Sequence, residues 1–142
     1  MSAVRTTSYP GRLSFLLPQG LCKIFDMRFE DLSFGSIRID GVVYEHDVVV
    51  DSGTIRRRKK KPSRKFRTQF AHTPLSIEEK IPWRCRRLVI GTGNQGALPV
   101  MNDLKAEAKR RKVDLVIVPT ADAIQVLNER HKRTNAILHV TC

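Results

Sequence analysis

The sequence is poor in cysteine and aromatics, and it has no long apolar run. Its three cysteines, Cys22, Cys85 and Cys142, are odd in number and widely spaced, and none forms a CxxC pair. That argues against a disulfide framework or a zinc ribbon and favours a reducing cytoplasm. No apolar stretch approaches the about 20 residues needed to cross a bilayer, so no membrane span is expected. The N-terminus lacks the apolar core of a secretory signal. None of the four histidines, His46, His72, His131 and His139, sits in an HExxH pattern. The H-x-x-C spacing of His139 and Cys142 places the two side chains on opposite faces of a strand, so no metal site is expected.

What is present is an ordinary globular balance, with 41% hydrophobic and 28% charged residues in a chain of 142. That is enough for one domain and a short tail. The formal net charge is +12, and its placement is uneven. Residues 56–67 hold nine Lys and Arg and no acid; without them the chain would be only +3. A run of this kind can hold a polyanion through phosphate contacts and counterion release. Phe66, Phe70 and Trp83 lie close enough in sequence to offer stacking faces. The plainer reading is a solvated loop or a charged edge strand guarded against pairing, and it weighs ahead of specific nucleic-acid binding.

Residues 1–26 show no sustained period and carry Pro10, Gly11, Pro18 and Gly20; they read as a poorly ordered tail. Met27 precedes the first clear pattern, so a misassigned start is a second reading, and a transit peptide is a third. Residues 27–142 then read as a single α/β domain. From Phe34 the pattern is that of a strand meander. Asp40-Gly41 marks a tight hairpin, and Asp51-Ser52-Gly53 marks a second turn. A third strand is expected over Thr54–Lys60, ended by Pro62. Ser76 and Glu79 form a capping-box pattern for one short helical turn that Pro82 stops.

The second half changes rhythm. Leu88–Ile90, Leu115–Val118 and Ala136–Val140 read as buried strands. Between them, Pro99–Lys112 and a segment capped by Thr120 read as helices, each closed by cations, the second by Arg130, His131, Lys132 and Arg133. The βαβαβ order implies a parallel portion within a mixed sheet.

Gly91, Thr92, Gly93, Asn94 and Gly96 lie in a G-x-G-x-x-G pattern after a strand. Such a loop can cradle an anion or nucleotide with its backbone N–H groups. The following strand carries no ribose-binding acid at its end, and Pro99 removes a donor; a tight packing turn is therefore the favoured reading. Cys85 lies between Arg84, Arg86 and Arg87, which lowers a thiol pKa when the group is exposed. His72 could in principle serve as its base, but no oxyanion element accompanies the pair, and a Cys–His nucleophile has no further support in the sequence. No catalytic residue and no cofactor are assigned.

The segments "SFGSIRIDGVVYEHDVVV", "HTPLSIEEKIPW", "LVIGTGNQGALPV", "VPTADAIQVLNE" and "AILHVTC" resemble, in order, one family from Phe34 to Cys142. It is a former domain of unknown function that includes the mitochondrial respiratory complex I assembly factor three and the adipogenesis-associated domain protein. The resemblance implies a three-layer α/β fold: a central mixed sheet, a small extra β-layer and packed helices. It implies no established catalysis; the best-described relatives act as assembly or interaction proteins. Carried over by motif, Gly91, Thr92, Gly93, Asn94, Gly96 and Thr120 are the expected ligand cleft, with His72 nearby. The basic run departs from the family pattern. Its Arg56, Arg57, Arg58, Lys59, Lys60, Lys61, Arg64 and Lys65 are the expected contact surface for a protein partner, with nucleic acid as the alternative. The location expected is cytoplasmic, or mitochondrial for a eukaryotic source.

Overall fold

The computed structural model describes residues 27–129 and 132–142. The readings of residues 1–26 and of Arg130 and His131 lie outside them. Twelve elements follow in order, beginning with β1 (Phe29–Ser33), β2 (Ser36–Ile39) and β3 (Val42–Tyr44). Then come β4 (Val48–Asp51), β5 (Thr54–Arg57), a 3-10 turn over Lys61–Phe66 and the one-turn α1 (Arg67–Phe70). The second half runs β6 (Arg87–Thr92), α2 (Asn102–Arg110), β7 (Asp114–Val118), α3 (Thr120–Asn128) and β8 (Thr134–His139).

The expected α/β architecture is what forms. β1, β2 and β3 make a small antiparallel meander, and the other five strands form a mixed sheet in the order β5-β4-β8-β6-β7. Within it β6 runs parallel to β7 and β8, whereas β4 runs antiparallel to β8 and β5. Both expected hairpins are tight because two consecutive residues at each tip accept positive φ: Asp40 and Gly41 in one, Ser52 and Gly53 in the other.

Alternation along the strands divides the core into two. Val48, Val50, Val89, Ala136 and Leu138 face one side, where Ala123, Ile124 and Leu127 of α3 and Phe29, Ile37 and Ile39 of the meander cover them. Val49, Leu88, Ile90 and Ile137 face the other side, against Leu104 and Ala108 of α2 and Leu75 and Ile81 of the preceding loop. The meander is pinned by Asn128, whose side chain both accepts from the Phe29 N–H (3.0 Å) and donates to the Phe29 carbonyl (2.8 Å).

Four elements differ from expectation. β1 precedes Phe34, outside the expected meander. β5 stops at Arg57 rather than Lys60, because Arg58 turns inward. Residues 76–79 make a turn rather than a helix, since Ser76 and Glu79 are drawn into buried contacts. Helix α2 starts at Asn102, not Pro99. Leu75 holds the preceding residues extended by donating to the Pro99 carbonyl (2.8 Å) and accepting from the Met101 N–H (3.0 Å).

Candidate functional site

Two constructions meet where β8 leaves the sheet. The first is the glycine loop after β6. Gly93 has φ +106°, and a Cβ there would lie 2.2 Å from the Thr141 carbonyl oxygen. Only glycine lets the exiting strand pass this close. The loop amides are all donated within the chain. The Gly93 N–H donates to Thr120 Oγ1 (2.8 Å), Asn94 to the Thr141 carbonyl (3.1 Å) and Gln95 to that of Cys142 (2.8 Å). Gly96, Ala97 and Leu98 donate to Gly93, Cys142 and Thr92 carbonyls. Thr120 Oγ1 also donates to the His139 carbonyl at 2.6 Å, so this hydroxyl links two strand ends instead of capping its own helix. The loop is therefore a seam that locks the end of β8 to the starts of both crossovers.

The second construction is a buried polar cluster built on the basic run. Arg58 directs its guanidinium inward, and its side chain is only 2% exposed. Nε and Nη2 donate as a fork to the two oxygens of Glu79, at 2.8 and 2.9 Å. Nη2 also donates to the Pro74 carbonyl (3.1 Å), and Nη1 donates to Asp47 Oδ2 (3.0 Å). Ser63 reaches in from the 3-10 turn and donates to Glu79 Oε2 at 2.5 Å, while Ser76 lies 2.7 Å from the Ser63 hydroxyl. Asp47 accepts in addition from His139 Nδ1 (2.8 Å) and the Val140 N–H (3.0 Å). His139 Nε2 lies 3.2 Å from Thr141 Oγ1.

Electrostatics follow from this geometry. Burial opposes ionisation of Asp47, but the bond and charge of His139, the Val140 amide and the Arg58 guanidinium outweigh it and hold the carboxyl at about 2. Burial likewise disfavours the Arg58 cation, and Glu79 and Asp47 reverse that, raising its pKa. Each buried charge thus has an opposite charge and fixed hydrogen bonds, the condition for keeping ions inside a protein.

The cluster backs onto a cavity of about 430 Å³, with Arg58, Lys60, Arg64, Arg67, His72 and His139 in its wall. Among the described residues no three His, Cys, Asp or Glu side chains are grouped to hold a metal ion. No helix among them is long and apolar enough to cross a membrane.

The comparisons agree with this architecture. The family model described as a protein of unknown function (DUF498/DUF598) matches residues 29–139. The chain belongs to this family. The conserved hypothetical protein PH1505 of Pyrococcus horikoshii OT3 is 30% identical, with TM-score 0.67 over 81% of this chain and 99% of that one. A protein designated MT938 is 27% identical, with TM-score 0.61 over 82% of this chain and 99% of that one. A Mth938-like domain protein of Bordetella pertussis is 15% identical with TM-score 0.52 over 92% of each chain, a likeness of fold alone. No curated protein matches significantly. The resemblance seen in the sequence is thus borne out at the level of family.

Within this member of the DUF498/DUF598 family, the expected residues separate into groups. Gly91, Thr92, Gly93, Asn94, Gly96 and Thr120 do come together, as the hydrogen-bonded seam. His72 lies in the cavity wall, which Thr141 and Cys142, the hydrogen-bond partners of the loop, also line. Of the expected contact surface, Arg58 is buried and drops out. Arg56 donates to the Lys80 carbonyl (2.7 Å), and Lys65 pairs with Glu78 (2.6 Å). Arg57, Lys59, Lys60 and Lys61 stay exposed, as do Arg64 and Arg67.

Cys85 is half-buried and donates to the Pro82 carbonyl (3.4 Å); burial pushes its thiol up to about 11, so the flanking arginines do not activate it. Sequence reasoning misses Asp47, Ser63, Glu79 and His139 as a cluster. The sequence offers one signal, a basic run interrupted by Ser63, and nothing that joins it to an aspartate and a histidine far apart along the chain.

Proposed function

We propose that this protein is a non-enzymatic interaction protein of assembly-factor type that binds an acidic protein partner through the outer face of its basic segment. The observation that carries this reading is a set of cations left unmatched. Arg57, Lys59 and Lys61 are exposed, and none has a carboxylate partner among the described residues. Their neighbours differ: Arg58 is buried on two carboxylates, and Lys65 is paired. A charged face of this kind steers an oppositely charged partner and fixes its orientation. Membership of a family of unknown function is compatible with this role.

Nucleic acid is the second reading, and the aromatic groups speak against it. Trp83 packs on the second core with the Arg111 guanidinium 5.0 Å over its ring, and Phe66 and Phe70 are half-buried. Free stacking platforms of the kind single strands use are therefore few. The test is an affinity pull-down from the source cells, with and without nuclease, using the wild-type chain and an Arg57→Gln/Lys59→Gln/Lys61→Gln variant. The expected result is a defined protein that survives nuclease and is lost with the triple variant while the melting temperature is unchanged. Equal capture by the variant, or a haul that vanishes with nuclease, overturns the reading.

A further inference from the structure

The cavity beneath the basic segment has chemistry of its own. Its charged side chains are all of one sign: Arg58, Lys60, Arg64 and Arg67, with two imidazoles beside them. The carboxylates that hold Arg58, those of Asp47 and Glu79, lie behind the wall and not in it. Cys142 also lines the cavity, and its main-chain oxygen is engaged by the Gln95 and Ala97 amides. Lys60, Arg64 and Arg67 have no carboxylate partner among the described residues. With Arg58 already matched, Lys60, Arg64 and Arg67 gathered on one concavity carry an electrostatic cost that an anionic occupant relieves.

The wall is also pre-organised. A guanidinium has five N–H donors. Arg58 commits four of them to Glu79, Pro74 and Asp47, which fixes its plane, and one hydrogen on Nη1 remains. The His139 ring is held through Nδ1 by Asp47, with Nε2 beside the Thr141 hydroxyl. Thr141 lines the same cavity, and Ala97 and Leu98 add a short apolar stretch to it. The fixed Arg58 guanidinium and the exposed Lys60, Arg64 and Arg67 at the rim together suit an acceptor with several oxygens and more than one negative charge. A volume of about 430 Å³ is that of a small-ligand site.

We infer that this cavity binds a phosphate-bearing small molecule. The site adjoins the end of the glycine loop at Ala97 and Leu98 but does not use the loop amides, which are already bonded. It is distinct from the proposed partner face, because Arg57, Lys59 and Lys61 are not in its wall. The two ideas can therefore fail separately.

The test is a titration of the full chain at constant ionic strength with inorganic phosphate, pyrophosphate and ADP, with citrate as the carboxylate control. Isothermal calorimetry gives affinity, and amide chemical shifts give location. The expected result is saturable binding of at least one phosphate probe, with shifts concentrated at His72, Leu98 and Thr141. An Arg64→Gln/Arg67→Gln variant should bind about tenfold more weakly or worse, the loss expected for removing charge-assisted hydrogen bonds. Both arginines are exposed, so an unchanged melting temperature should accompany that loss. The Arg57→Gln/Lys59→Gln/Lys61→Gln variant should bind the probe as the wild type does. Failure of all three probes to saturate, citrate binding as tightly as they do, or equal loss in the two variants overturns the inference. Saturable probe binding together with equal partner capture by the wild type and the Arg57→Gln/Lys59→Gln/Lys61→Gln variant supports this site and removes only the partner reading.

Discussion

Arg58 shows how little a residue's neighbours in sequence decide its role. It is one of the nine cations of residues 56–67, yet it is the one that the fold buries. Removing it strands Glu79, whose side chain is 3% exposed, without its counter-charge. Arg58→Ala is therefore expected to destabilise the protein by about 3–5 kcal/mol, the range for breaking a buried ion pair from one side. Arg57→Ala, one residue earlier and exposed, should stay within about 0.5 kcal/mol. Urea denaturation of the two variants checks the contrast, and similar losses would contradict the assignment. Asp47 makes a second prediction at this scale. Its carboxyl is held at about 2, against an ordinary 3.8. A depressed native pKa stabilises the fold above the ordinary value and ceases to do so as pH falls through the native one. The contribution, about 2 kcal/mol, is complete above about pH 5 and is lost progressively toward pH 2 and below. Denaturation midpoints measured from pH 7 to pH 2 should fall more steeply for the wild type than for Asp47→Asn. Parallel curves would show that Asp47 does not carry that acid sensitivity.

Elements are legible where local chemistry alone decides them. The Asp40-Gly41 and Ser52-Gly53 tips, the β-branched run of β4 and the apolar runs of β6 and β7 need no distant partner to be recognised. β1 escapes because its Phe29-Glu30-Asp31-Leu32-Ser33 segment carries two acids and a register shift between Phe29 and Leu32, which spoil the alternation. The start of α2 escapes because Leu75 is what keeps residues 99–101 extended. The glycine loop is legible as a motif, and its favoured reading is a packing turn; the partners of its amides lie on β8's exit, beyond any local pattern. Gly93 is the element's critical point. Gly93→Ala places a methyl group 2.2 Å from a backbone oxygen at φ +106°, so a loss of about 3 kcal/mol or more is expected. Gly41→Ala also sits at positive φ, but its Cβ meets nothing within 4 Å, and about 1 kcal/mol should suffice. Equal losses in denaturation experiments would mean that the seam at Gly93 yields.

At the scale of the whole molecule, family and layer order are readable from the succession of segments, while the buried cluster is not. Asp47, Arg58, Glu79 and His139 come from four separate stretches of chain, and only the closed fold assembles them. The order of the central sheet, β5-β4-β8-β6-β7, bears on how the protein is made. Its middle strand is the last of the five to be synthesised. While a ribosome is still translating residues before 134, the β4–β5 pair and the β6–β7 pair have no strand to join them, and β4 and β6 each present an open, strongly apolar edge to solvent. Sheet closure, the Gly93 seam and the His139–Asp47 bond all wait for the same few residues to leave the exit tunnel. Folding of this domain is thereby expected to follow the emergence of β8, which alone joins the two strand pairs and covers their facing edges.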